Sequence, residues 1–250
     1  MNSSKLKTSG KEENITVKDF FMSFNNARNL MYNSANKKDF MKSKHLLETL
    51  EAELESIHKQ RSSNPQLIFL SALINYELAE WYLTYAKKWE TKQDEKKGKR
   101  HLEKAWKLAQ EAAALDKSLS EAYWLIAEST MRLIPFKGWR FAAIHGAKAR
   151  EAILNSIRLN QRNPRAYIAL AKWYFFTPKE FGGDLERAIQ ILRKATQLEA
   201  SNHEKFLIHF WLGQIFFKKQ DKLKAYNEIK KALLFYPNNI LAKILLDKTR

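Results

Sequence analysis

The chain has 250 residues, 45% of them hydrophobic, and 44 Lys and Arg against 27 Asp and Glu give a net charge of +17. This apolar content in a chain of this length supports a packed interior and excludes a wholly disordered protein. Seven Gly and five Pro are too few for the turns of a sandwich or barrel, and the lack of Cys excludes disulfides, thiolate nucleophiles and Cys-held metal centres.

Residues 1–16 are polar, with no apolar core of a signal peptide, and read as a disordered tail. The tail is either a natural cytoplasmic start or a tether left after a leader was trimmed. Residues 17–63 hold two stretches with helical apolar spacing, Phe20, Phe21, Phe24, Ala27, Leu30 and Met31, then Phe40, Leu46, Leu47, Leu50 and Leu54. They form an N-terminal hairpin, a degenerate repeat or a cap for an open end. Residues 64–119 place Pro65 to Ala72 on a long first helix and Ala105, Ala109 and Ala112 on a second, with a large insertion near residues 89–93. Residues 120–163 carry Tyr123, Ile126, Ala127 and Thr130, then Ala149, Ile153 and Ser156 after an insertion near Pro135, Gly138 and Trp139. Residues 164–205 repeat the pattern with Tyr167, Leu170, Ala171 and Tyr174, then Ala188, Leu192 and Ala195. Between these, Pro178, Gly182 and Gly183 signal a turn and Asp184 can cap the next helix. Residues 238–250 make a closing helix with Ile240, Leu241, Ile244 and Leu245 on one face.

Residues 206–237 carry the period without a gap: Phe206, Leu212, Gly213, Phe216, Ala225, Ile229, Ala232 and Pro237. Small residues at Gly213 and Ala225 let two helices cross closely, Ala232 admits the next hairpin, and Pro237 ends the second helix. This pattern resembles the tetratricopeptide repeat, weakening toward the N-terminus. The resemblance implies an all-α, right-handed α-solenoid of antiparallel hairpins with about eleven helices, in place of an ordinary helical bundle.

No catalytic or metal motif emerges. His203 and His209 are wrongly spaced for a zinc helix, and neither Gly98 nor Gly182-Gly183 opens a phosphate loop. The expectation is a protein without catalytic residues, metal, cofactor or small-molecule substrate, and no apolar run is long enough to span a bilayer.

The resemblance also implies a concave face lined by the first helix of each hairpin. Carried onto this chain, the candidate groove holds Phe69, Tyr76, Trp124, Met131, Arg132, Arg165, Ile168, Lys172, Phe175, Phe176, Phe210, Gln214, Phe217 and Lys218. Aromatic walls with a basic rim suit a peptide or helix from a partner protein, with apolar anchors and acidic residues. The other outcome is that the N-terminal helices or the insertions fold over the groove and fill it. The Lys and Asn of the carboxylate-clamp members are missing, Phe69, Trp124, Ile168 and Phe210 standing at one of those positions.

Eight Lys or Arg against one acid between Arg132 and Arg165 give an alternative, a basic solenoid binding nucleic acid or an anionic membrane surface. The insertion-bearing repeats resemble those of bacterial adaptors, which favours the periplasm or cell envelope, with a leader or anchor missing, over the cytoplasm.

Overall fold

The computed structural model describes residues 16–59, 64–89 and 94–250. The expected tail up to residue 15 and most of the 89–93 insertion therefore lie outside the described residues, while Thr16, placed in the tail by the sequence reading, caps the first helix. Among the described residues ten α-helices follow in order: α1 (Val17–Tyr32), α2 (Lys37–Lys59), α3 (Pro65–Glu80), α4 (Glu95–Leu115), α5 (Ser120–Leu159), α6 (Pro164–Phe176), α7 (Leu185–Ala195), α8 (Asn202–Lys218), α9 (Lys222–Phe235) and α10 (Ile240–Thr249). There is no strand among the described residues. α5 is two helical arms joined at Gly138, whose φ of 78° breaks the helix three residues after Pro135. The two arms account for the difference between ten helices and the expected eleven.

The helix starts follow from local chemistry. Thr16 with Asp19 and Ser201 with Glu204 form capping boxes at α1 and α8. Asn64 and Asn163 cap α3 and α6, each followed by Pro at the first helical position. Asp184 accepts from the Glu186 and Arg187 amides and so starts α7. Before it, Gly182 takes a φ of 93°, and a Cβ on Gly183 would lie 1.8 Å from the Thr177 carbonyl oxygen, so that turn admits no side chain there. α3 runs on through a π-turn (Trp81–Tyr85) and a 3-10 turn (Ala86–Trp89), which carry the longer first helix of that hairpin.

Close helix crossings sit where small residues permit them. A Cβ on Gly213 would stand 2.4 Å from Ile229 Cδ1 in α9, while Ala105, Ala109, Ala188, Ala225 and Ala232 are fully buried at their crossings. α2, α4, the second arm of α5, α7 and α9 form the outer layer. α1, α3, the first arm of α5, α6, α8 and α10 face a central space.

The two ends of the solenoid meet. Tyr236 donates to Asn29 Oδ1 at 2.7 Å, the Asn238 amide to Asn33 Oδ1 at 2.9 Å, and Asn239 Nδ2 to the Tyr32 carbonyl at 2.9 Å. The Tyr32 ring packs against Tyr85, His203, Phe206 and Tyr236 with centroids 4.5 to 6.0 Å apart. The N-terminal hairpin thus reaches the last turn, and the inner helices close into a ring. Bonds between residues about 200 positions apart in sequence lie beyond any local pattern.

Candidate functional site

Among the described residues, two cavities inside the ring bear on the site. The first, about 440 Å³, is walled by Tyr76 of α3, Trp124 of α5, Ile168, Lys172 and Phe176 of α6, Phe210, Trp211 and Phe217 of α8, and Ile244 and Lys248 of α10. The second, about 970 Å³, lies at the N-terminal ends of α1, α3, α5, α6 and α8. Between them Arg28, Tyr32, Glu77, Arg165 and His203 come together from three inner helices and α1.

Of the candidate groove residues, Tyr76, Trp124, Arg132, Arg165, Ile168, Lys172, Phe176, Phe210, Gln214 and Phe217 line the first cavity. Phe69 instead lines the second, where its ring meets Phe21 at 6.5 Å, and Arg165 touches both. Met131 and Phe175 pack against the core beside the cavities, and Lys218 donates to the Phe175 carbonyl at 3.1 Å. The candidate groove residues thus divide between two cavities that share Arg165, with the Arg28, Glu77 and His203 cluster between them.

The cations are internally neutralised. Arg132 Nε donates to Glu80 at 2.6 Å, Arg165 Nε to Glu204 at 2.7 Å, and Lys172 pairs with Glu128, which also accepts from the Tyr76 hydroxyl at 3.0 Å. The expected basic rim is thus largely matched by acids on neighbouring helices. Exposed Lys88 and Lys248 stay at the mouth of the first cavity.

Burial dominates the electrostatics of the partition. Desolvation raises the Glu77 carboxyl to about 7, against the pull of Arg28 and Arg165. It lowers the Arg28 guanidinium to about 10 and holds His203 neutral, with Arg165 adding to both shifts and Arg28 to that of His203. Glu204 goes the other way: desolvation opposes its charge, but Arg165 and the Ser201 hydrogen bonds win and bring it to about 2. Arg28, Tyr32 and Trp211 escaped the sequence reading, which weighed His203 only as a metal ligand. An arginine within the apolar stripe Phe20, Phe24, Ala27, Met31 was the available signal. Among the described residues no three His, Cys, Asp or Glu side chains converge as a metal site, and no helix is long and apolar enough to cross a membrane.

Stacked hairpins, small residues at the crossings and a concave inner layer define a tetratricopeptide-like α-solenoid. Three solved structures share the fold. A thermophilic TPR protein of Thermus thermophilus is 13% identical, with a TM-score of 0.60 over 92% of this chain and 98% of that one. Cut9 of the APC/C Cut9–Hcn1 hetero-tetramer is 12% identical, with a TM-score of 0.60 over 93% of this chain and 39% of that one. The human IFIT1 dimer solved with PPP-AAAA is 17% identical, with a TM-score of 0.56 over 85% and 44%. The chain thus spans less than half the length of the last two. At these identities the likeness is one of fold. No protein-family model matches the sequence, and no curated protein matches it.

Proposed function

We propose that the chain is a non-enzymatic scaffold that captures a segment of a partner protein at the mouth of the first cavity. The observation that carries this reading is an accessible aromatic cluster. Phe175, Phe176 and Trp211 contact one another edge to face at 4.9 to 5.7 Å, and Phe176 is 60% exposed. Phe217 stands half-buried at the same opening. Exposed rings beside a preformed cavity offer anchorage to a bulky apolar side chain, and Lys88 and Lys248 favour acidic flanks. Cut9, a chain of the same fold, was solved assembled with Hcn1, which supports a protein partner.

A second reading is a basic solenoid for nucleic acid or an anionic membrane. Arg140, Lys148, Arg158 and Arg162 support it, as does IFIT1, solved with PPP-AAAA. It is weakened because Arg132, Lys137 and Arg165 already pair with Glu80, Glu103 and Glu204. The test is a peptide library selected on the folded chain, with selected peptides titrated at rising salt. The scaffold reading expects peptides with an aromatic or aliphatic anchor, weak salt dependence, and about tenfold loss in Phe176→Ser and Phe217→Ser. Binding of RNA with a log–log salt slope near about −0.7 per phosphate, untouched by those variants, would replace it with the second reading.

A further inference from the structure

The second cavity takes no part in the scaffold reading. Its wall is apolar on the α1 and α3 side, where Phe21, Phe24, Phe69 and Leu73 face it. Its cations are Lys18, Arg28, Arg162 and Arg165, against the carboxylates Glu121 and Glu204, the second of which is engaged by Arg165. The inner helices also bring their N-terminal ends to this side, which adds positive potential. The first-turn amides of α3, α6 and α8 are already capped by Asn64, Asn163 and Ser201, so these ends supply field and not free donors.

Arg28 is, among the described residues, the one buried cation left without a full set of partners, with Glu77 Oε2 and His203 Nδ1 of the same partition unmet as well. It lines the cavity at 4% exposure, with its guanidinium 5.0 Å over the Phe24 ring. Nη2 donates to Asn25 Oδ1 at 2.7 Å, but Nε and Nη1 are shielded from solvent and have no partner. Among the described residues Arg28 forms no ion pair, and Glu77 acts on it only through its field. Buried guanidinium N–H groups are costly when unmet, and a small turn of the guanidinium toward the cavity presents both to an anion.

We propose that this cavity binds a small amphiphilic anion, whose carboxylate or phosphate monoester head meets Arg28 and whose apolar body lies along Phe21, Phe24, Phe69 and Leu73. The cavity, about 970 Å³, has ample room for one such molecule. This site is separate from the mouth of the first cavity and does not rest on the scaffold reading.

The test is calorimetric titration of the full chain with octanoate, octyl phosphate, 1-octanol and inorganic phosphate. The expected result is saturable one-to-one binding of octanoate or octyl phosphate, at least about tenfold tighter than octanol or phosphate, the tighter of the two naming the head group. Arg28→Gln should weaken it at least about tenfold. Exposed Arg162→Gln, which leaves the core untouched, should weaken it about threefold even if Arg28→Gln does not fold. Phe217→Ser should bind as the parent does. The proposal is overturned if neither anion saturates, if octanol or phosphate binds equally well, if both arginine variants bind normally, or if Phe217→Ser weakens binding equally.

Discussion

Glu77→Gln tests the partition between the cavities with no known ligand required. Burial lifts the Glu77 carboxyl from 4.5 to about 7 although Arg28 and Arg165 oppose the shift and Glu80 adds to it. The folded state therefore holds the proton more tightly than the unfolded chain. Stability from this residue is complete below pH 4.5 and is lost as pH rises to 7. The move from 4.5 to about 7 corresponds to about 3 kcal/mol. Gln has the shape of the protonated acid and does not titrate, so the variant should match the parent near about pH 4.5 and exceed it by up to about 3 kcal/mol at about pH 8. Urea denaturation of both proteins at about pH 4.5, 6 and 8 measures this difference, in which all other titrations common to both cancel. Parallel profiles, or a variant weaker at the highest pH, would refute the reasoning and place Glu77 in a fully compensated ion pair.

Three further outcomes follow from the packing and charges. Gly213→Leu should cost about 1–3 kcal/mol or more in denaturant melts, because Ile229 occupies the space a Cβ would need. Gly183→Ala should be at least as damaging, since its neighbour at 1.8 Å is backbone oxygen, whereas Gly138→Ala meets open space and should cost about 1–3 kcal/mol from backbone strain alone. Glu204, held at about 2 by Arg165 and Ser201, supports the fold above pH 4.5 and loses that support as pH falls toward 2, so Glu204→Gln should flatten the acid limb of the stability profile.

The hairpin fold was legible because its signals are local. Gly213, Ala225 and Ala232 recur at crossing positions, and Asp184 stands where its side chain meets the α7 amides. The inner-face residues were legible in part, since ring positions on α5, α6 and α8 follow from helical periodicity. What the sequence hid is what closure creates. The Tyr236–Asn29 and Asn239–Tyr32 bonds join residues at opposite ends of the chain, and no period encodes them. The same holds for charge: Arg132, Arg165 and Lys172 look like a basic rim in one dimension, but Glu80, Glu204 and Glu128 meet them from adjacent helices. The setting of Arg28 likewise exists only once α1 is seated against the second cavity.

The most direct measurement of the scaffold account is site-specific photocrosslinking of a library-selected peptide. A photoreactive amino acid is placed in turn at Gln214, inside the first cavity, and at Lys231 on outer helix α9. The account predicts an adduct from the Gln214 position only, abolished by excess unlabelled peptide and by Phe217→Ser. An adduct from the Lys231 position that competes in the same way, with none from Gln214, would contradict it and move recognition to the convex surface.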